Sequence, residues 1–399
     1  MKARRILVMR TGGTIAPYII DEFAAAFNAL NCHAFILDFE RMGLYEKADN
    51  QAAIKVIKTI KDFAPDFIIS YAAEGLIEIN GGSGFSHLAE ELKIPYCLLF
   101  FDAPYRAEKV LRSFAHSQLM KVFCWDRYYF PFFTQCGIKN IHYLPLATNV
   151  DTFNCLKANT IEENDISLVG TLNMELLVTQ PPASNALLPI LQHFLKARLN
   201  EPVKNFDELL EKIIFNLCPT EKEQFQQFKA SSAFPLFRQD IQRRADALYR
   251  YNAIAALSKK HRVCIYGNDG WLAALRENHN AVYKGKVKYG RELAKVYNTS
   301  IINLNLTVMQ LVHAINQRTF DCPIAGGFLI TDYRKDLEEL FDINEEIVCF
   351  KTIEEMLEKV EQFTLERAKR NSIVEKACKR IIAHHTWQHR AEKILSVLS

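Results

Sequence analysis

Two doubly wound α/β domains in tandem are what this sequence predicts, on three observations. Short apolar strands alternate with amphipathic helical segments through residues 6–145, and the alternation resumes at 262 after a long stretch without strand signals. Such alternation gives a parallel sheet with helices on both faces. The 399 residues exceed one ordinary core and suit two domains of about 150–200 residues each.

The strand candidates of the first half are 6–10, 34–38, 67–70, 96–101, 122–125 and 141–145. The helical segments between them are 18–30, 51–63, 86–92, 107–115 and 129–135. The polar, unpatterned run 149–164, "NVDTFNCLKANTIEEN", reads as the link between domains, so the first domain is expected over 1–155 and the second over 156–380. A strand, "DISLVGT", opens the second domain. Helical periodicity then fills about 174–258, for example "NALLPILQHFLKARL" and "FDELLEKIIFNL", and reads as an insertion. Strands return in "RVCIYGNDG", "SIINLNL", "GGFLITD" and "EEIVCF". The tail reads as helix interrupted near 384–386, and 381–399 is expected to pack back on the first domain. Two sheets in tandem place a cleft between two sets of strand ends, where small-molecule sites are preferred.

Composition narrows the function classes. Hydrophobic content of 49% and charged content of 24% are ordinary for a globular protein. A formal charge of +3 gives no electrostatic case for a dedicated nucleic-acid or membrane binder. The apolar run after the basic start, Ile6 to Met9, is too short for a signal peptide or a spanning helix, so a cytoplasmic protein is expected. The ten cysteines are scattered without a CxxC pair or matching histidine spacing, so no metal site is expected.

The stretch "INQRTFDCPIAGGFLITDY", Ile315 to Tyr333, concentrates the chemistry. A strand ends near Leu306, and the pattern "VMQLVHAINQRTF" predicts a helix starting near Thr307, whose unpaired amides would seat a phosphate. Asp321, at the far end, is placed to accept both hydroxyls of a ribose, and Gly326-Gly327 would let backbone approach a bulky group. Arg318 is the first choice for a cationic phosphate partner; a solvated helix charge fits the same position. Arg243-Arg244 is a weaker candidate. Gly267, Asn268 and Gly270 form a tight turn that could contact base or diphosphate, with Trp271 anchoring the next helix. Gly12-Gly13, in "RTGGTI", would admit a donor phosphate or acceptor, although a plain turn needs no ligand. This loop is not GxGxxG, so a nicotinamide dinucleotide is not expected. The bland alternative for the whole stretch is a Pro-x-x-Gly-Gly helix end.

"VYKGKVKYGRELAKVYNTSIINLNL", "INQRTFDCPIAGGFLITDYRKDLEELF" and "EEIVCF" together resemble the C-terminal domain of GT-B glycosyltransferases. "CWDRYY", "IHYLPLATNVDTF", "DISLVG", "YGNDGW" and "HTWQHR" are similar to the spore-maturation CgeB-like group. The resemblance spans essentially the whole chain and is weakest before residue 95 and across the insertion. It implies a GT-B fold of two Rossmann-like domains and transfer of a sugar from a nucleotide-diphosphate donor to a hydroxyl of an unknown glycan, protein or small-molecule acceptor. No cofactor and no catalytic metal are implied, in keeping with the lack of Asp-x-Asp. Asp321 falls where such enzymes place a ribose carboxylate. Eight residues before it, where many retaining members carry glutamate, stands His313, which either touches donor phosphate or is a packed helix residue.

Inverting transfer needs a general base near the acceptor. Asp102, Asp126 and Glu74 sit at or just past predicted strand ends. Asp102 follows five apolar residues, which would leave it partly desolvated with a raised pKa. For all three, capping the next helix is the competing role. The competing function is a nucleotide- or sugar-binding protein that kept the fold without catalysis; a phosphorylase or epimerase on the same fold is a third.

Overall fold

The computed structural model describes residues 3–13, 16–39, 41, 50–74, 78–81, 84–153, 164–179, 187–275 and 280–398. Two compact units result: Met1–Asn149 with His384–Ser399, and Val150–Ala383. Residues 154–163 of the expected linker lie outside the described residues.

In the first unit, β1 (Arg5–Arg10), β2 (His33–Asp38), β3 (Phe67–Tyr71), β6 (Tyr96–Phe100), β7 (Met120–Cys124) and β8 (Ile141–Tyr143) form a parallel sheet in the order β2-β1-β3-β6-β7-β8. β3 and β6 are buried along their whole length, as parallel strands covered on both faces must be, whereas the edge strand β2 exposes Phe35 and Ile36. A small antiparallel hairpin, β4 (Glu78–Gly81) and β5 (Gly84–His87), was not legible in the pattern. β5 takes the first residues of the helix expected over 86–92, leaving only Leu88–Glu91 helical.

The tail is stitched into this unit. Thr148 accepts from Trp387 N–H at 3.3 Å and donates its own N–H to the His385 carbonyl at 3.1 Å. The Trp387 indole lies 5.0 Å from the Phe23 ring and 6.5 Å from Phe101. Arg390 is buried and donates to the carbonyls of Pro145, Leu146 and His384, while burial draws its pKa down to about 10.

In the second unit, β9 (Asn164–Val169), β10 (Val263–Tyr266), β11 (Ala281–Gly285), β12 (Ser300–Asn305), β13 (Leu329–Asp332) and β14 (Val348–Phe350) form a second parallel sheet, in the order β11-β10-β9-β12-β13-β14. The expected insertion is helical: Glu175–Val178, Leu188–Asn200, Phe206–Phe215, Pro219–Lys229 and Phe234–Leu257. It has its own apolar core around Phe194, Phe206, Leu209, Phe225 and Ile241. The 24-residue helix Phe234–Leu257, about 36 Å long, belongs to two cores. Phe237 and Ile241 pack in the insertion; Ala253, Ile254 and Leu257 pack beneath the sheet with Ile166 and Ile302.

The helix expected from Val308 to Phe320 is not formed. Residues 306–317 run as an irregular loop, and helix begins only at Arg318, ending at Ile324.

Candidate functional site at the carboxyl ends of the second sheet

Strand order in the second unit reverses between β9 and β12, because the chain winds outward through β10 and β11 and then returns to the other side. Ligands of open parallel sheets bind outside the carboxyl ends of the strands at such a reversal. The residues bordering it are Gly170–Leu172 after β9 and Leu306–Met309 after β12.

The turn after β10 is pressed against this point. A Cβ on Gly267 would stand 2.1 Å from the Gly170 carbonyl oxygen, and one on Gly270 would stand 2.1 Å from that of Leu172. Asn268 accepts from Leu172 N–H at 2.7 Å and donates to Leu172 O at 3.0 Å, and the Trp271 indole donates to Gly170 O at 2.8 Å. Neighbouring backbone by itself requires both glycines, and the Asn268 amide is engaged at both ends. The Gly-Gly turn before β13 is packed as closely. A Cβ on Gly327 would meet Tyr297 O at 2.6 Å, and one on Gly326, at φ +82°, would meet Asn298 Nδ2 at 2.7 Å.

The phosphate seat expected at Thr307 is also corrected. Its N–H donates to both oxygens of Asp332, at 3.0 and 3.1 Å, its hydroxyl bonds the same carboxylate, and the Met309 N–H donates to Asp246 at 3.0 Å. Carboxylates already occupy these amides. Each is paired in turn: Arg334 lies 3.0 Å from Asp332, and Arg198 lies 3.4 Å from Asp246. Burial pushes the Asp246 carboxyl up and the Arg198 guanidinium down, against their mutual attraction.

Two further guanidinium groups lie beside this set. Arg250, on the long shared helix, donates to Thr171 O at 2.8 Å and to Leu306 O at 3.1 Å, so it bridges the strand-order reversal. Arg318 donates to Asn305 Oδ1 at 2.9 Å. Neither has a carboxylate within ion-pair distance among the described residues. Both converge on Gly170: Arg250 Cζ and Nη1 and Arg318 Nη2 each lie 3.9 Å from where a Cβ would be. Burial is the main cause that lowers the Arg250 pKa; the charge of Asp246 opposes it, and the like charge of Arg318 adds to it. Two guanidinium groups held close together, neither of them ion-paired among the described residues, make a seat for an anion. Arg250 carries no sequence signal; the weaker arginine candidates nearby differ from it. Arg244 is buried against Asp240 and the carbonyls of Leu176 and Thr179, and Arg243 is exposed.

Asp321 lies on the helix Arg318–Ile324, only 1% exposed, and accepts from the Gln317 amide at 3.2 Å. Gln317 also reaches the Tyr289 hydroxyl at 3.4 Å. His313 is half-buried in the preceding loop and its carbonyl accepts from Asp336 N–H at 3.0 Å.

In the first unit the strand order reverses between β1 and β3. Gly12 and Gly13, the latter at φ +122°, follow β1, and Glu74, exposed, follows β3. Asp102 follows β6 and is exposed, so the expected desolvation is absent; it accepts from the Tyr71 hydroxyl at 2.7 Å. Asp126 is fully buried and takes the capping role, accepting from Tyr128 N–H at 2.9 Å, while Arg127 stacks on the Tyr143 ring at 3.5 Å.

Burial, then the charge of Asp102, pushes the Tyr71 hydroxyl well above the ordinary tyrosine value. Burial also raises Tyr96 and Tyr249, and takes Tyr333 up to about 12. A folded pKa above the unfolded one means stability that is complete below about pH 10 and is lost as pH climbs through the folded values. Melting temperature is therefore expected to hold between about pH 8 and 9.5 and to fall above about 10. Tyr71→Phe should fall less steeply. A melting curve unchanged to pH 11.5 would contradict this.

Among the described residues no helix is long and apolar enough to cross a membrane, and no group of three His, Cys, Asp or Glu is placed to hold a metal ion.

Residues 237–396 match the family model described as glycosyl transferase-like. An uncharacterized protein of Aquifex aeolicus is 22% identical over 352 residues, covering 86% of this chain and 85% of that one. The structure of Anabaena Alr3699/HepE in complex with UDP-glucose superposes with a TM-score of 0.59 at 10% identity, covering 99% of each chain. A glycosyltransferase from Rickettsia africae gives 0.57 at 11% identity, over 100% of this chain and 98% of the other. The two parallel six-stranded sheets with their helices are a fold of the GT-B type.

Proposed function

We propose that this chain is a glycosyltransferase, similar to the CgeB-like group, that moves a sugar from a nucleoside-diphosphate donor to an acceptor hydroxyl in the cytoplasm without a metal ion. The observation that carries the reading is the pair Arg250 and Arg318, two guanidinium groups that converge beside Gly170 at the strand-order reversal of the second sheet with no carboxylate in ion-pair contact among the described residues. The geometry suits a diphosphate, whose charge grows as it departs.

In this reading the second unit holds the donor. Asp321 takes the ribose hydroxyls, with Gln317 fixing one carboxylate oxygen. His313, in the loop after β12, is a further candidate for donor contact. In the first unit Gly12 and Gly13 admit the acceptor, and Asp102, oriented by Tyr71, removes the proton of the acceptor hydroxyl. The acceptor oxygen bonds the anomeric carbon, the bond from that carbon to the diphosphate breaks, and the electron pair leaves on the diphosphate. Glu74 is the alternative base. Asp126 is committed to its cap.

A panel of nucleotide sugars in a thermal-shift assay tests the donor. A ligand at 100 times its Kd adds about 2.7 kcal/mol of stability. Asp102→Asn is expected to lower turnover about a hundredfold or more while leaving donor affinity within about twofold. Donor binding with no release of nucleoside diphosphate from the unaltered protein, across an acceptor panel, would favour a binding protein of the same fold.

A further inference from the structure

Arg318 owes its position to an amide, not an acid. Asn305, the last residue of β12, is 1% exposed, and Asn316 is half-buried in the loop two residues before Arg318. Their side chains pair reciprocally: Asn305 Nδ2 donates to Asn316 Oδ1 at 3.2 Å, and Asn316 Nδ2 donates to Asn305 Oδ1 at 2.8 Å. Asn305 Nδ2 also donates to Thr331 Oγ1 at 2.9 Å. The orientation of Asn305 is fixed by chemistry. A guanidinium only donates, so the atom facing Arg318 Nη1 at 2.9 Å must be the oxygen, and the amide nitrogen must point to Thr331 and Asn316.

A carboxylate at this place would hold Arg318 more strongly and would also cancel its charge. The amide oxygen holds the guanidinium and leaves its charge in place. The surrounding acids are already committed, Asp332 to Arg334 and Thr307, Asp246 to Arg198 and Met309.

We propose that Asn305 and Asn316 are positioning residues, a neutral amide pair that aims Arg318 at the anionic group of a diphosphate ligand without neutralising it. This rests on the assignment of Arg318 to the donor's diphosphate. The pair acts through Arg318 and touches no reacting atom.

Inorganic pyrophosphate is the probe, because it carries the anion without base or sugar. Its affinity is measured by calorimetry for the unaltered protein, Asn305→Asp and Asn305→Ser, with melting temperature alongside. Both substitutions remove the reciprocal pair, but only aspartate adds a counter-charge against Arg318. The expected result is a loss of about tenfold or more for Asn305→Asp. Asn305→Ser should lose about threefold, at a similar melting temperature. A structural role alone would lower melting temperature in both and affinity equally. Equal affinities for the two variants, or no pyrophosphate binding by the unaltered protein, would overturn the proposal. Should the buried substitutions fail to fold, Asn316→Ala, at the half-buried partner, is expected to weaken pyrophosphate severalfold; unaltered affinity there overturns it equally. Failure of the wider reading is separable. Pyrophosphate binding that Asn305→Asp weakens, with no sugar transfer from any nucleotide sugar, leaves the amide pair standing and removes the transferase. Transfer with affinity indifferent to Asn305→Asp does the reverse.

Discussion

Replacing Arg250 by glutamine should lower kcat/KM for the sugar donor about a hundredfold or more, the scale seen when one preorganised donor to a developing anion is removed. Glutamine keeps a neutral donor on a shorter side chain and loses the charge and the fork that spans Thr171 O and Leu306 O. Arg250→Lys keeps the charge as a point on a flexible stem, so an intermediate loss is expected. The measurement is steady-state kinetics with melting temperature on each variant. Arg250 also ties the loops after β9 and β12 together, so some stability is lost as well. If activity per folded molecule stays within about twofold for Arg250→Gln, the residue is a tie between loops only, and the diphosphate assignment falls with it.

Gly267→Ala and Gly270→Ala should be among the most destabilising single changes in the second unit, about 3 kcal/mol or more each. The new methyl would stand 2.1 Å from a backbone oxygen in either case, and backbone cannot swing aside as a flexible side chain can. Separating the two turns would break the contacts that join them: Gly170 N–H to Tyr266 O at 2.8 Å, both Asn268 bonds to Leu172, and the Trp271 indole bond. Gly285→Ala is the comparison. Its Cβ meets nothing within 4 Å, so only its φ of +85° opposes substitution, at about 1 kcal/mol. Urea unfolding followed by tryptophan fluorescence measures all three, since Trp271 sits at the affected joint. Equal costs at 267, 270 and 285 would show that the turns separate freely. Because Gly170 lies between Arg250 and Arg318, the same two variants should also lose donor affinity.

The strands were legible because parallel strands buried on both faces are continuous apolar runs, and "RILVM", "FIIS" and "CLLF" can be little else. The hairpin β4–β5 was missed because its short strands carry no such run. The helix expected after β12 failed for a different reason. "VMQLVHAINQ" has helical periodicity, but its first amides are bound by Asp332 and Asp246, which lie 25 residues after Thr307 and 63 before Met309. Competition from that distance leaves no local trace. Arg318 and Asp321 could be singled out because they stand in one dense stretch with Asn316 and Gln317. Arg250 could not, since its neighbours in sequence are helical and its meaning arises only where the sheet brings β9 and β12 together. Gly267, Gly270, Gly326 and Gly327 are legible as close-approach points, and atoms of the protein itself approach them.

The final segment from His384 is an integral part of the first unit: Trp387 closes over Phe23, and Arg390 ties off the carbonyls after β8. On the ribosome, the portion made first must therefore wait for the portion made last. At about 5–20 residues per second, residues 150–383 emerge and can fold while the earlier sheet still lacks its closing helix. The nascent N-terminal half would meanwhile show water the Phe23 and Phe101 rings that the indole later shields, a surface that holding chaperones recognise.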